Sequence, residues 1–166
     1  DWYLTQAVEE TIKGETGGTI ISNDGNTEIA IPPDAVAGAV TFTFAPQPAP
    51  AYDTGTLDFA GNSFELTAQD SLGEPITTFA QPIIITLYYD EADLGDVPEE
   101  NLFLFYWDED SLAWMDVVTT CESGAYTRDL EEDWLSVPIC HLSQFALMSL
   151  EEEPFLFEIF LPLITK

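Results

Sequence analysis

Apolar residues recur at every second position in short runs along this chain, and turn-forming residues interrupt the runs. Ile29 and Ile31 alternate with polar or small neighbours, as do Val40, Phe42 and Phe44, and then Phe64 and Leu66. A period of two is the signature of an extended strand with one face buried. Thr19–Ser22 and Thr27–Ile31 flank Asn23-Asp24-Gly25-Asn26, which predicts a tight hairpin. Pro82–Tyr89 (PIIITLYY) is apolar on both faces, as in a central strand. Leu102–Trp107, Trp114–Val118, Leu135–Ile139 and Gln144–Leu150 predict further strands. Pro46-Gln47-Pro48-Ala49-Pro50 predicts a loop, because prolines at this spacing remove ladder donors. Helical periodicity is nearly absent; Pro33–Val36 and Glu91–Leu94 have room for one turn each. The pattern predicts an all-β fold, an antiparallel β-sandwich of roughly nine to ten strands with extended N- and C-terminal arms.

The two ends depart from this pattern. Trp2, Leu4, Val8 and Ile12 are apolar at a spacing that fits neither strand nor helix well. Residues 1–13 are therefore expected to be an arm: a short strand covering a sheet edge, an ordinary first strand, or a segment reaching a neighbour. Residues 14–150 form the sandwich, and residues 151–166 a second arm after the acidic Glu151-Glu152-Glu153-Pro154 break. In that arm Phe155, Phe157, Ile159 and Leu161 share one face of an extended chain, and Leu156 and Phe160 the other. A segment apolar on both faces must be buried on both, in its own sandwich or in a second copy.

Composition changes the picture in three ways. The 166 residues suit one domain, and 46% hydrophobic content with 13% aromatics excludes intrinsic disorder. Thirty-one acidic residues stand against Lys13, Arg128 and Lys166, for a net charge of −28. That balance excludes nucleic acid and anionic membrane as natural partners, since phosphate binding needs clustered cations. It also leaves self-repulsion to be relieved by cations, salt or acid. No run reaches the length of a membrane-spanning helix, and the opening residues carry no leader pattern, as expected of a mature N-terminus or of a chain cut from a longer one. Cys121 and Cys140 lie at the ends of predicted strands, where a disulfide and a pair of buried thiols are both possible; the bridge is preferred, with an extracellular setting.

Acidic clusters raise the question of a metal. Asp90, Glu91, Asp93 and Asp96 share one loop, with Glu99 and Glu100 beyond it, and Asp108, Glu109 and Asp110 share another. Calcium takes six to eight oxygens of this kind, so Asp90, Asp93, Asp96, Asp108 and Asp110 are candidate ligands, although solvated turns have the same composition. No EF-hand spacing, zinc spacing, phosphate loop or dinucleotide fingerprint occurs. Trp2, Trp107 and Trp134 could stack on sugars, and packing explains them equally.

Three stretches in order carry a family resemblance: GETGGTIISNDGNTEIAIPPDAV at 14–36, PIIITLYYDEADLGDVPEENLFLFYWDEDSLAWMDV at 82–117 and VPICHLSQFALM at 137–148. Gly17-Gly18, the Ile31-Pro32-Pro33 step with Ala35, Tyr89-Asp90, the Leu-x-Leu-x-Tyr-Trp strand, Trp114 and a closing His-x-Ser fall in sequence. Over residues 8 to 148 the chain resembles the ZU-type domain of zonula occludens proteins, netrin receptors and ankyrins, with secreted bacterial relatives. The resemblance implies a β-sandwich used for interaction or architecture rather than turnover. Physics gives the same residues structural duties: Gly17-Gly18 to bend the chain with positive φ, Pro32-Pro33 to end a strand, Trp114 to fill the core. Some relatives cleave themselves at His-Phe-Ser, the serine attacking the preceding carbonyl with histidine as base. His141 and Ser143 match that triplet and Leu142 departs from it, so a packing role is preferred over self-cleavage.

The expected function is therefore that of an extracellular structural subunit, not an enzyme, whose partners are copies of itself. Assembly into a filament would proceed by strand donation from Phe155, Leu156, Phe157, Ile159, Phe160 and Leu161. The alternatives are a monomeric surface module for adhesion or carbohydrate binding, and a module cut between Leu142 and Ser143.

Overall fold

The computed structural model describes residues 7–94, 97–122 and 124–150, and of Asp93 only the backbone. The fold is all-β. Among the described residues eleven strands form two antiparallel sheets, against the roughly nine to ten expected. They are β1 (Val8–Lys13), β2 (Gly18–Ile21), β3 (Thr27–Ile31), β4 (Ala39–Gln47), β5 (Asp58–Asp70) and β6 (Thr78–Tyr88). After the single helical turn α1 (Glu91–Leu94) come β7 (Leu102–Asp108), β8 (Ala113–Asp116), β9 (Thr127–Asp129), β10 (Trp134–His141) and β11 (Gln144–Ser149). The six-stranded sheet runs β1-β4-β5-β11-β7-β8 and the five-stranded sheet β2-β3-β6-β10-β9. Among the described residues no helix is long and apolar enough to cross a membrane.

The alternation read from the sequence becomes the core. Ile29, Ile31, Phe42, Phe44, Phe64, Leu66, Ile83, Ile85, Leu87, Leu104, Val137 and Phe145 all point between the sheets and are buried. Phe64 lies between Phe44 and Phe145, with ring centroids 4.8 and 5.3 Å away. Such contacts add to area burial and fix the spacing of β4, β5 and β11. Gly17 turns the chain into β2 with φ of 67°, and a Cβ there would meet the Ile31 carbonyl oxygen at 2.3 Å. No other residue fits that position.

Val8–Lys13, within the expected N-terminal arm, takes one of the forms expected of it, an edge strand paired with β4 from Val8↔Phe44 to Lys13↔Ala39. Other expectations change. Pro46 sits inside β4, opposite Phe64, rather than in a loop. The reason is local: among the described residues β1 covers β4 only as far as Phe44, so beyond it that side of β4 has no described neighbour, and a missing amide donor there costs little. Pro33–Val36 is a turn without a helix, whereas Glu91–Leu94 does form one turn. Trp114 does not fill the main core. It packs on the outer face of the six-stranded sheet with Phe59, Phe103, Phe105, Ala146 and Met148, in a second apolar layer. The residues expected to donate a strand, Phe155, Leu156, Phe157, Ile159, Phe160 and Leu161, lie outside the described residues, as does Asp96.

Cys121 and Cys140 are joined by a disulfide. It ties the 3₁₀ turn Val117–Thr120 to the end of β10, and the Cys140 amide donates to Thr120 Oγ1 at 3.0 Å beside it. The bond therefore holds the chain just before His141, where it leaves one sheet for the other.

Candidate functional site

β10 belongs to the five-stranded sheet and β11 to the six-stranded one, with only Leu142 and Ser143 between them. This two-residue corner must cross the sandwich, and it is tied down at several points. The Leu142 amide donates to the Thr77 carbonyl at 2.9 Å, and the Leu66 amide to the Ser143 carbonyl at 3.2 Å. The Leu142 side chain is buried in the core. Ser143 Oγ donates to the Trp107 carbonyl at 2.8 Å. His141 Nδ1 lies 3.2 Å from the Leu142 carbonyl oxygen, and its ring meets Tyr106 edge-on at 4.8 Å.

Self-cleavage needs a base on the serine hydroxyl and that hydroxyl aimed at the Leu142 carbonyl carbon. Here the serine proton is engaged by a backbone carbonyl, and the imidazole contacts the carbonyl that would be attacked. The non-glycine residues with positive φ are Asp34, Leu112 and Asp133, so the corner holds no left-handed residue among those described. These contacts fasten the sheet-to-sheet crossing.

What the corner borders is a cleft of about 550 Å³. One wall is aromatic. Tyr52, from the loop between β4 and β5, stacks on Trp107 of β7 with centroids 4.1 Å apart and planes within 5°. Trp114 meets Trp107 edge-on at 5.5 Å, and its indole N–H donates to the Asp53 carbonyl at 3.1 Å, which pins the Tyr52 loop against the sheet. Ladder register explains the placement: Trp107 pairs with Trp114 across β7–β8, and Glu65 pairs with Gln144 across β5–β11. The rest mixes polar residues, including Glu65, Asp108, Glu109, Asp110, Ser143 and Gln144, with apolar ones such as Leu66, Pro75 and Ile76. Gln144 Oε1 is buried and has no hydrogen-bond partner. A cleft that combines an aromatic wall with carboxylates can hold a ring-shaped polar ligand, which stacks on the rings and hydrogen-bonds to the carboxylates.

The acidic residues singled out from sequence scatter. Asp108 Oδ1 accepts from the Asp110 amide at 3.3 Å and Oδ2 from Ser111 Oγ at 2.8 Å, which closes the β7–β8 turn. Asp90 Oδ1 accepts from the Ala92 amide at 2.9 Å and starts α1. The carboxylates that do converge are Glu91, Glu99 and Asp133, whose oxygens lie within 4.8 Å of one another. Asp133 was not among the sequence candidates. It lies far along the chain in the Glu131-Glu132-Asp133 turn, and no spacing pattern links it to Glu91 and Glu99. Repulsion from Asp133, then from Glu99, holds the Glu91 carboxyl above its ordinary range. Glu99 also accepts from the Tyr89 hydroxyl at 2.9 Å, and burial, followed by that acceptor, pushes the tyrosine well above its usual value. The trio supplies three of the six to eight oxygens calcium takes.

Of the other sugar-stacking candidates, Trp134 pairs with Tyr88 on the five-stranded sheet, away from this cleft, and Trp2 lies outside the described residues. Tyr52 was missed, because a lone tyrosine in a proline-rich loop gives no periodic signal. Comparison with protein-family models and with curated protein sequences finds no match to this chain.

Proposed function

We propose that this chain is a non-catalytic binding module of a secreted or cell-surface protein, and that its ligand is a carbohydrate held in the cleft beside the β10–β11 corner. The observation that carries this reading is the parallel Tyr52–Trp107 stack, which forms one wall of a cleft that also carries carboxylates. Aromatic side chains offer the apolar face of a sugar ring a broad contact area, while carboxylates and amides hydrogen-bond its hydroxyls. The Cys121–Cys140 disulfide supports an oxidising, extracellular setting. The resemblance to ZU-type domains, which serve in interaction and architecture, agrees with a role without turnover. Titration with soluble cello-, manno- and chito-oligosaccharides, followed by tryptophan fluorescence, tests the reading. At least one should change the emission saturably, and Trp107→Ala should abolish the change. A correctly folded protein that binds none of them would overturn it.

A second reading, self-assembly by strand donation, draws on the sandwich edges together with the closing sequence. β1, β8, β2 and β9 each leave one backbone edge without a neighbouring strand among the described residues, and β2 carries an exposed Ile21. Such edges accept added strands. The run from Phe155 to Leu161 has the apolar character of a donor. Deleting residues 155–166 should then leave monomers by size-exclusion chromatography where the full chain forms larger species. Identical elution of the two proteins would remove strand donation as their mode of assembly.

A further inference from the structure

Resting on the sugar-binding reading of the cleft, we infer that its ligand is a cationic sugar, a glycan with free protonated amines such as oligomeric glucosamine. Three features of the cleft point this way. First, the lining of the cleft includes Glu65, Asp108, Glu109 and Asp110, and neither Lys13 nor Arg128, the cations among the described residues, lines it. The carboxylates share this lining with hydroxyl, amide and apolar side chains, and His141 is the one side chain in it that could carry a positive charge. Glu65 is the most telling of the four. It projects from the middle of β5, next to Gln144, and is half-buried, so its charge is less screened than that of a turn residue. Second, Tyr52 and Trp107 present π surface to the same space, and Tyr52 remains 36% exposed. An ammonium group over such a face, within about 6 Å of the centroid, gains by attraction to the ring quadrupole. A protonated amine can thus meet a ring and a carboxylate together. Third, a chain of net charge −28 repels sulfated, sialylated and uronic glycans and draws in cationic ones.

The experiment compares a glucosamine oligomer with its fully N-acetylated counterpart, using calorimetry and tryptophan fluorescence on the whole chain at mildly acidic pH, with an oligolysine of matched charge as a third probe. The amine-bearing oligomer should bind on the order of tenfold more tightly than the acetylated one. Added salt should weaken its binding. Glu65→Gln should weaken the amine-bearing oligomer selectively, and Trp107→Ala should remove binding of both while circular dichroism shows an intact sandwich. Equal binding of the two oligomers would overturn the cationic inference and leave the sugar reading standing. Oligolysine binding as tightly as the sugar, or full binding retained by Trp107→Ala, would reduce the effect to general attraction to an acidic surface and overturn it too. Failure of every oligosaccharide would overturn both readings together.

Discussion

Tyr126 shows how one hydroxyl can stand in for a missing strand. β8 pairs with β7 only from Phe105 to Asp108, which leaves Leu104 beyond the end of the ladder. The Leu104 amide donates to Tyr126 Oη at 2.9 Å, and that hydroxyl lies 2.7 Å from Asp116 Oδ1, its shortest acceptor. Asp116 Oδ1 also accepts from the Val118 amide and caps the 3₁₀ turn, so one carboxylate oxygen joins three elements. Burial first, then the Asp116 acceptor and its charge, push the Tyr126 hydroxyl far above the usual tyrosine range. A raised folded value means the contribution is fully present below the unfolded tyrosine value, near 10, and is lost as pH rises above it. Tyr126→Phe should therefore cost about 1–3 kcal/mol in urea melts at neutral pH, and the gap between variant and parent should narrow in alkaline buffer. A gap that stays constant with pH would show that the proton is not what matters. Glu91 has the same sign at the acid end, since its folded value is also raised. Stability should rise as pH falls through the carboxylate range, and Asp133→Asn should flatten that rise in thermal melts followed by circular dichroism. None of these residue-level links was legible in the sequence. Tyr126 and Leu104, or Asp133 and Glu91, become neighbours only once β7, β9 and β10 have been placed, and no period marks a tyrosine that will cap a backbone amide.

At the scale of elements the sequence was far more informative, for a reason that also says where it failed. β3 runs over Thr27–Ile31, the span its alternation predicted, and Phe42, Phe44, Phe64 and Leu66 all face inward. Period-two alternation reports a single physical fact, one wet face and one dry, and it succeeds wherever that fact holds. The expectation that Trp114 fills the core failed because the central strands of the six-stranded sheet are dry on both faces: Phe105, Ala146 and Met148 form a second layer behind the core. An apolar residue there carries no mark of which layer it joins. The cleft was half legible for the same reason. Trp107, Asp108 and the His-x-Ser corner were singled out, whereas Tyr52 and Glu65 reach the site through loop closure and ladder register. The disulfide belongs to this scale too. It fastens the Val117–Thr120 turn to β10 next to the corner, and by the chain-entropy relation a loop of this size is worth about 3 kcal/mol. A Cys121→Ser, Cys140→Ser double variant should lose about that amount in chemical denaturation, and the emission of Trp107 should shift as the corner beside it loosens. A loss with unchanged emission would confine the bridge to stability alone.

The whole molecule is governed by charge imbalance. Three basic side chains can neutralise at most three of 31 acidic ones, so the sandwich folds against its own field rather than with the help of ion-pair networks. What overcomes that repulsion is the core, in which side chains from both sheets are almost wholly removed from water. Repulsion acts over a Debye length of about 30 Å at about 0.01 M salt, which shortens to about 10 Å at about 0.1 M, whereas core burial is not weakened by ordinary salts. The two contributions can therefore be separated. The melting temperature should climb steeply when sodium chloride is raised from low concentrations and then level off once the Debye length falls below the spacing of surface carboxylates. Replacing chloride by another monovalent anion should leave the curve in place, because the screening ions near an anionic surface are cations. A melting temperature indifferent to salt would mean that the unfolded chain suffers the same repulsion as the folded one, and that compactness adds nothing to it. If the climb occurs, it also sets the conditions for ligand binding. The field that destabilises the sandwich is the one that would gather a cationic ligand at the Tyr52–Trp107 wall, so salt should stabilise the empty protein while weakening its complex.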